Sequence, residues 1–390
     1  DGYDGKIQMR KQMSQKSYFF ALNLRNSEEV ILYLLAAIMK ACIFFATIST
    51  EDREYCYVSV YESGSTDATC QLLKLVQNDL TKLRIRHTIV TNGIRRDTRE
   101  HRIKFLAAVR NEALRPYYAN SSSWDEVIFL NDVVVCASNI IELVDKKLLN
   151  SADVASGMDY IVRKNTVLFY DIWVNKDITG RSFQNKQPYV QDTKSWKRYT
   201  ENQPFQVFTT WAGGIIISSS LFTDTGTRFR HSGLLECASC ECELLVRDLW
   251  HRVGSRGLKV MVVPTVRLAY SLKEFEQVER FLRTEYDEKH FLSAIRHERA
   301  LVDFIPSPPE SIECCGMEFA NEQLLNFDMQ STMMPWQWWY SLSKSNTRSL
   351  SAIITLATRT FRRDCDISLD WRGADDSGSV TFRRKFSERT

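Results

Sequence analysis

At 390 residues with 44% hydrophobic content and a formal net charge of +3, the chain is long enough to bury a large core, and its near-neutral balance argues against a general nucleic-acid binder. The tail is locally basic, with Arg362, Arg363, Arg372, Arg383, Arg384 and Lys385, and reads as a solvated end. Ten cysteines permit either a few bridges in an oxidising compartment or many buried thiols.

In chain order, strand-like and helix-like stretches alternate from residue 18 to 160, which predicts an α/β fold with a mainly parallel sheet flanked by helices. Strands are expected near 18–24, 55–61, 85–91, 125–131 and 153–158. Helices are expected near 27–40, 67–83, 97–117 and 139–149. Val30 to Ile48 is apolar enough to raise a membrane span, but Lys40 interrupts it and a buried strand precedes it, so a core helix running into a loop is the reading adopted. Asn26-Ser-Glu-Glu29 supplies a cap and first-turn acids for that helix. No charged, apolar and small-residue leader opens the sequence, so any targeting segment is expected upstream of Asp1. One sequon, Asn120-Ser-Ser122, suits a lumenal or extracellular setting.

Residues 161–275 are richer in aromatics, glycine and acids and end in the strand-like 258–264. We divide the chain into a catalytic domain at 1–275, with halves at 18–160 and 161–275, and an α-rich extension at 276–390. The extension holds the loop Ile305-Pro-Ser-Pro-Pro-Glu310 and the aromatic run Trp336, Trp338, Trp339 and Tyr340. Cys237-x-x-Cys240-x-Cys242 invites zinc, yet no second ligand pair follows it and Glu236 to Trp250 reads as a helix on which these cysteines do not face one point.

The chemistry gathers at predicted strand ends. Val58-Ser-Val-Tyr-Glu-Ser-Gly-Ser-Thr-Asp67 runs a buried strand into an acidic turn that opens a helix, where Tyr61, Glu62, Ser63 and Asp67 could meet a nucleotide's ribose or base. Thr66 or Asp67 can instead cap that helix, whose stripe is Leu72, Leu73, Leu75, Val76, Leu80 and Leu83. Arg110 and Asn111 could bind phosphate and base, or lie on a solvated face. Val127-Ile-Phe-Leu-Asn-Asp-Val133 delivers Asn131 and Asp132 to the sheet edge, and Asp159 ends the next strand. Phe169-Tyr-Asp-Ile-Trp-Val-Asn-Lys-Asp177 sets Asp171, Trp173 and Asp177 among aromatics suited to a sugar face. Trp211 offers a platform, and Gly213 and Gly214 allow close approach of a ligand to the backbone. Glu241 opens a helix and could reach an anomeric carbon, or only favour the helix dipole.

These blocks, in this order from Tyr18 to Tyr270, resemble the fungal capsule-associated α-1,3-mannosyltransferase family. The resemblance rests on the 58–67 turn, Arg110-Asn111, Phe129-Leu-Asn-Asp-Val133, Ala152-Asp153 with Met158-Asp-Tyr160, Phe169-Tyr-Asp-Ile-Trp-Val174 with Asp177 and Gly180, Glu236-Cys237 with Glu241, and Val263-Pro264 with Leu268-Ala-Tyr270. It implies a GT-A-like, type II membrane-anchored enzyme of the Golgi lumen, with the anchor missing here. It also implies GDP-mannose as donor, a mannose-containing glycan as acceptor, an α-1,3 product and retention of configuration. In such transferases a carboxylate pair at the Asp132 position holds Mn2+ or Mg2+ against the departing diphosphate. Here the triplet Leu130-Asn131-Asp132 carries a single acid, so Asp132 needs help, with Asp159 the nearest candidate by topology. Trp211-Ala-Gly-Gly214 departs from the Trp-Asn-Gly expected of the family. A catalytically inactive scaffold that binds glycan would need no intact metal site, and a dinucleotide oxidoreductase is disfavoured because Glu62 to Asp67 lacks Gly-x-Gly-x-x-Gly.

Overall fold

The computed structural model describes residues 11–49, 54–233, 236, 238–290, 301–314 and 332–335. Cys237, the Trp336 to Tyr340 run and the basic tail from Arg362 lie outside the described residues. The chain opens with β1 (Tyr18–Leu24), α1 (Ile31–Ile48), β2 (Cys56–Glu62), α2 (Thr69–Lys82) and β3 (Arg86–Val90). It continues with α3 (Arg102–Ala113), α4 (Arg115–Ala119), β4 (Glu126–Leu130), α5 (Ala137–Leu149) and β5 (Val154–Arg163). Then come β6 (Thr166–Phe169), β7 (Lys176–Asp177), α6 (Thr193–Thr200), β8 (Phe205–Thr209), β9 (Gly214–Ser218), α7 (Ser220–Thr225) and α8 (Glu241–Val253). The last elements are β10 (Val260–Ala269), α9 (Leu272–His290), β11 (Ser311–Cys314) and β12 (Thr332–Pro335).

The main sheet runs β3-β2-β1-β4-β9-β5-β10-β8-β7, with β6 beside β5. Strands β3, β2, β1 and β4 are parallel, as the alternation of strand and helix predicts. Strand β9 then enters antiparallel between β4 and β5, which makes the whole sheet mixed. Side chains alternate between two cores. Phe20, Leu22, Val58, Val60, Ile128 and Leu130 pack with α1, α2 and α5 on one face. Phe19, Ala21, Val127, Phe129, Ile215 and Ile217 pack with α3, α4 and α8 on the other. This is the period of two expected of strands covered by helices on both faces.

Several elements differ from their predicted extents for identifiable reasons. Helix α1 passes Lys40 without a break and ends at Ile48, because Lys40 lies on its partly exposed outer side while Leu34, Leu35, Ile38, Ala41 and Phe45 enter the core. A disulfide from Cys42 to Cys56 ties it to the start of β2. Asn26 to Glu29 do not cap α1 through a side chain. They cross to the neighbouring turn instead: the Ala68 N–H donates to Glu28 Oε2 at 2.8 Å and the Thr66 N–H to Asn26 Oδ1 at 2.8 Å. Leu75 is half exposed, since the buried stripe of α2 is Leu73, Val76 and Leu80 at helical spacing. The helix expected over 97–117 starts at Arg102 and is interrupted at Leu114, just before Pro116, which lacks the N–H that would continue it. Strand β10 carries Pro264 past a register shift between Val262 and Arg267, the kind of irregularity at which a sheet accommodates proline.

Residues 301–313 lie against the sheet-bearing body. The Ile305 N–H and carbonyl bond the side-chain amide of Gln206 at 2.7 and 2.8 Å. The Val302 N–H donates to Asn150 Oδ1 at 2.7 Å. The Ser182 N–H donates to Glu313 Oε2 at 2.7 Å and the Glu313 N–H to the Gly180 carbonyl at 2.8 Å. Gly180, at φ +86°, has the Ser311 carbonyl 2.2 Å from where a Cβ would stand, so only glycine admits this contact.

Candidate active site

The turn after β2 is held together by its own acids. Glu62 is fully buried. One oxygen accepts from the Ser65 N–H, and the other accepts from the Cys70 thiol and the Asn92 N–H, each at 3.3 Å. Asp67 accepts from the Thr69 N–H at 3.0 Å and from the Glu28 N–H at 3.1 Å. Partial burial works to raise the Asp67 pKa, but the hydrogen bonds from Thr69 and Glu28 outweigh it and hold the carboxyl below its usual range. Ser63 is buried, with its N–H on the Leu24 carbonyl at 2.9 Å. The Tyr61 hydroxyl accepts from the Ile94 N–H at 2.9 Å. Tyr61 and Glu62 thus tie this turn to the β3–α3 loop, and Ser63 and Asp67 tie it to the end of β1 and the loop before α1.

A second group of acids converges from separate elements. Asp132 follows β4, Asp159 lies in β5, Asp171 follows β6 and Glu241 opens α8. The backbone pairing of Val134 with Ala269, at 2.7 Å from N–H to carbonyl, draws the loop after β4 toward the end of β10 and Tyr270. Tyr270 donates its hydroxyl to Asp159 Oδ2 at 2.8 Å, and the Asp171 N–H donates to Asp159 Oδ1 at 3.2 Å. Burial first, and the charge of Asp171 second, raise the Asp159 pKa. Burial raises Asp171 as well, against the hydrogen bond from the Val174 N–H, with Glu241 adding to the rise. Asp132 is partly exposed. Its carboxyl is pushed up to about 6 by burial, against a hydrogen bond to its own backbone N–H and the charge of Arg110.

Arg110 is the counter-charge of this group. Its Nε donates to Glu241 Oε1 at 2.8 Å and its Nη1 to Asn131 Oδ1 at 2.9 Å. The guanidinium carbon lies 4.7 Å from the Trp211 ring centroid, 5.1 Å from that of Phe129 and 5.8 Å from that of Phe229. An aromatic box and a carboxylate therefore hold a buried cation. Burial works to lower the Arg110 pKa, and the surrounding acids, Glu241 among them, raise it above the ordinary arginine value. Glu241 Oε2 is buried and makes no hydrogen bond among the described residues.

The structure thus brings together Arg110, Asn131, Asp132, Trp211 and Glu241, with Asp159, Asp171 and Gly213 beside them. Gly213, at φ +75°, has Asp159 Cβ 3.5 Å and the Tyr270 hydroxyl 3.6 Å from its Cβ position. Trp211 is fully buried and gives its Nε1–H to Asn131 Oδ1 at 3.1 Å. Gly214 packs on Leu130. Elsewhere, Asn111 bonds the Phe229 backbone in both directions at 2.8 and 3.0 Å. Asp177, fully buried, gathers Thr179, Arg181 and Asp192 into a turn. Trp173 and Tyr170 stand exposed on either side of Asp171. Sequence reasoning did not single out Tyr170 or Tyr270 as site residues; Tyr270 comes to the site because β10 runs to Ala269, beyond the strand-like 258–264. Helix α8 starts at Glu241, five residues later than the predicted start at Glu236. Cys240 caps it, with Sγ accepting the Glu243 N–H at 3.5 Å, and Glu236 pairs with Arg230.

Among the described residues, no group of three or more His, Cys, Asp or Glu side chains converges as a metal cage. Both Asp159 oxygens are engaged, by Tyr270 and Asp171. Asp132, whose carboxyl among the described residues bonds only its own backbone, suits a cation of the Mn2+ or Mg2+ kind. Such ions take one or two carboxylates and fill their shell from substrate phosphates and water.

The family model described as cryptococcal mannosyltransferase 1 matches residues 17–248. The chain is 27% identical over 330 residues to the α-1,3-mannosyltransferase CMT1 of Cryptococcus neoformans var. neoformans serotype D, across 78% of this chain and 69% of that protein. Among solved structures, S. aureus TarS 1-349 matches at 16% identity and TM-score 0.36, over 69% of this chain and 65% of that one. This chain therefore spans just under two thirds of the TarS chain. Glucosyl-3-phosphoglycerate synthase from Mycobacterium tuberculosis, solved with Mn2+, UDP and glucosyl-3-phosphoglycerate, matches at 13% identity and TM-score 0.33, over 77% and 93% of the two chains.

Proposed function

The chain belongs to the cryptococcal mannosyltransferase 1 family, and from that premise we propose that it moves mannose from GDP-mannose to a hydroxyl of a mannose-containing glycan, forming an α-1,3 linkage with retention. The observation that carries this reading is the convergence of Asp132, Asp171 and Glu241 around Arg110, with Asp159 bonded to Asp171, next to the exposed rings of Tyr170 and Trp173. Carboxylates suit a centre where positive charge develops on a sugar, and exposed aromatics suit the apolar face of an acceptor sugar.

In a front-face retaining transfer, the acceptor oxygen bonds the anomeric carbon as the bond from that carbon to the phosphate oxygen breaks, and the acceptor proton passes to the departing phosphate. Glu241 is assigned to the anomeric carbon, because Oε1 is fixed by Arg110 while Oε2 has no partner. Asp171, between the two exposed rings, is assigned to the acceptor side. Asp159 orders the Asp171 backbone and Tyr270. A divalent cation on Asp132 would neutralise charge on the departing diphosphate. The disulfide from Cys42 to Cys56 and the exposed sequon residue Asn120 support a lumenal enzyme of the secretory pathway, in the Golgi.

The test is a screen of nucleotide sugars for protection against thermal unfolding, followed by transfer assays. GDP-mannose should raise the unfolding temperature above other donors, because a ligand that binds only the native state stabilises it. Glu241→Gln should lower kcat by about two orders of magnitude or more. No protection by any nucleotide sugar, or donor turnover unaffected in that variant, would sink the assignment.

A further inference from the structure

Asn131 stands beside Asp132 at the carboxyl end of β4, and its amide is oriented without ambiguity. Arg110 Nη1 and Trp211 Nε1 both point at the same side-chain atom, at 2.9 and 3.1 Å. Arginine and the indole nitrogen only donate, so that atom is the carbonyl oxygen Oδ1. Its backbone N–H is anchored too, on the Gly213 carbonyl at 2.8 Å. The Nδ2 group is therefore turned away from both donors, on a residue that remains partly exposed.

The neighbouring groups make that amine chemically distinct. The carboxylates of Asp132, Asp171 and Glu241 accept when ionised, Tyr270 commits its proton to Asp159, and Arg110 commits Nε and Nη1 to Glu241 and Asn131. Asn131 presents N–H donors beside the acid that would take a cation. A carboxylate in its place would set a second negative charge on Arg110, which Glu241 already neutralises.

We propose that Asn131 is a donor-recognition residue whose Nδ2 hydrogen-bonds an oxygen of the diphosphate of the nucleotide sugar, so that the neutral amide, rather than a second acid, is what this site requires. The inference rests on the nucleotide-sugar reading given above. It assigns the single acid after β4 a complementary partner: one residue contributes negative charge and its neighbour contributes protons to the same anionic group.

The experiment is calorimetric titration of the full chain with GDP and with GDP-mannose, both in Mn2+, for wild type, Asn131→Asp and Asn131→Ala, with thermal unfolding as the check on folding. Asn131→Asp keeps the oxygen that Arg110 and Trp211 hold but replaces the donor with an acceptor and adds a negative charge. Asn131→Ala removes the donor without adding charge, so a loss in both variants is the loss of the donor. Both ligands should bind about tenfold or more weakly to each variant, the scale of one hydrogen bond to a charged group. Undiminished or tighter GDP binding by Asn131→Asp, as expected were a second carboxylate what the cation lacked, would overturn the proposal. A loss seen with GDP-mannose but not with GDP would also overturn it, by placing the contact on the sugar. Should Asn131→Asp not fold, Asn131→Ala decides by the same comparison. Wild type that binds neither nucleotide would overturn the nucleotide-sugar reading itself, an outcome distinct from any difference between variants.

Discussion

The turn after β2 and the acid group around Arg110 use carboxylates to opposite ends. In the turn, Glu62 and Asp67 accept from backbone N–H groups and a thiol, and Asp67 is held below its usual pKa range. Around Arg110, Glu241 keeps one oxygen without a partner, and Asp132, bonded only to its own backbone, is pushed up to about 6. An acid whose hydrogen-bonding capacity is filled by the backbone shapes the chain. One left unfilled in a buried setting costs stability and is thereby available to a ligand.

The contrast is broken or sharpened most strongly at Asp132. Asp132→Ala should reduce transfer by about a thousandfold while leaving the thermal unfolding transition in place, since no described side chain depends on that carboxylate. EDTA should abolish wild-type transfer in the same assay. Normal turnover in the variant would move Asp132 into the class of Glu62.

Arg110→Ala tests whether the second group is balanced internally. Removing the cation strands Glu241, and urea unfolding should show a loss of about 3–5 kcal/mol, the scale for breaking a buried ion pair from one side. Unchanged stability with weakened GDP binding would place the guanidinium on the nucleotide, as its sequence context alone suggests.

The smallest effect belongs to Asp67→Asn, about 1 kcal/mol for turning the charged acceptor of the Glu28 and Thr69 N–H bonds into a neutral one. The Asp67 pKa is lower folded than the 3.8 of an ordinary aspartate, so the unfolded chain binds more protons in between and stability rises with pH there. The stabilisation is complete above the unfolded value and lost as pH falls through the folded one. The gap between wild type and variant in denaturant titrations should be widest at pH 7 and close in strong acid. A pH-independent gap would show that the Asp67 charge plays no part.

Much of the parallel half was legible in the sequence because its strands are short, apolar and separated by amphipathic helices, and the starts of β1, β2, β3, β4 and β5 fall within a residue of their predicted positions. The position of Asp132 just after β4 followed from the same pattern, whereas Asp159, read as ending a strand at 158, lies inside β5, which pairs on with β6 as far as Arg163. What it does not contain is pairing across long separations. Nothing in Asn26 to Glu29 announces that Asn26 and Glu28 bond the turn before α2 rather than cap α1, since the choice depends on β1 and β2 being neighbours. Nor does the spacing of Arg110 and Glu241, 131 residues apart, show that they form a pair. Asn111 and Asp177 read as ligand-facing because local text cannot reveal that the Phe229 backbone and the 179–192 turn take up their hydrogen bonds.

The segment 301–313 bears on the order in which this molecule is completed. Its bonds to Asn150, Ser182 and Gln206 close separations of 152, 131 and 99 residues. Contacts of that range form slowly, because the chain loses loop entropy before they are made. During synthesis the sheet and both helical layers are already outside the ribosome before residue 301 can reach them, so this piece docks after them, onto a surface they have already formed. Chains truncated before residue 301 and released should thus hold a paired sheet with the Gln206 side chain and the Gly180 carbonyl still open to water, a late and locally reversible closing step rather than part of the nucleus.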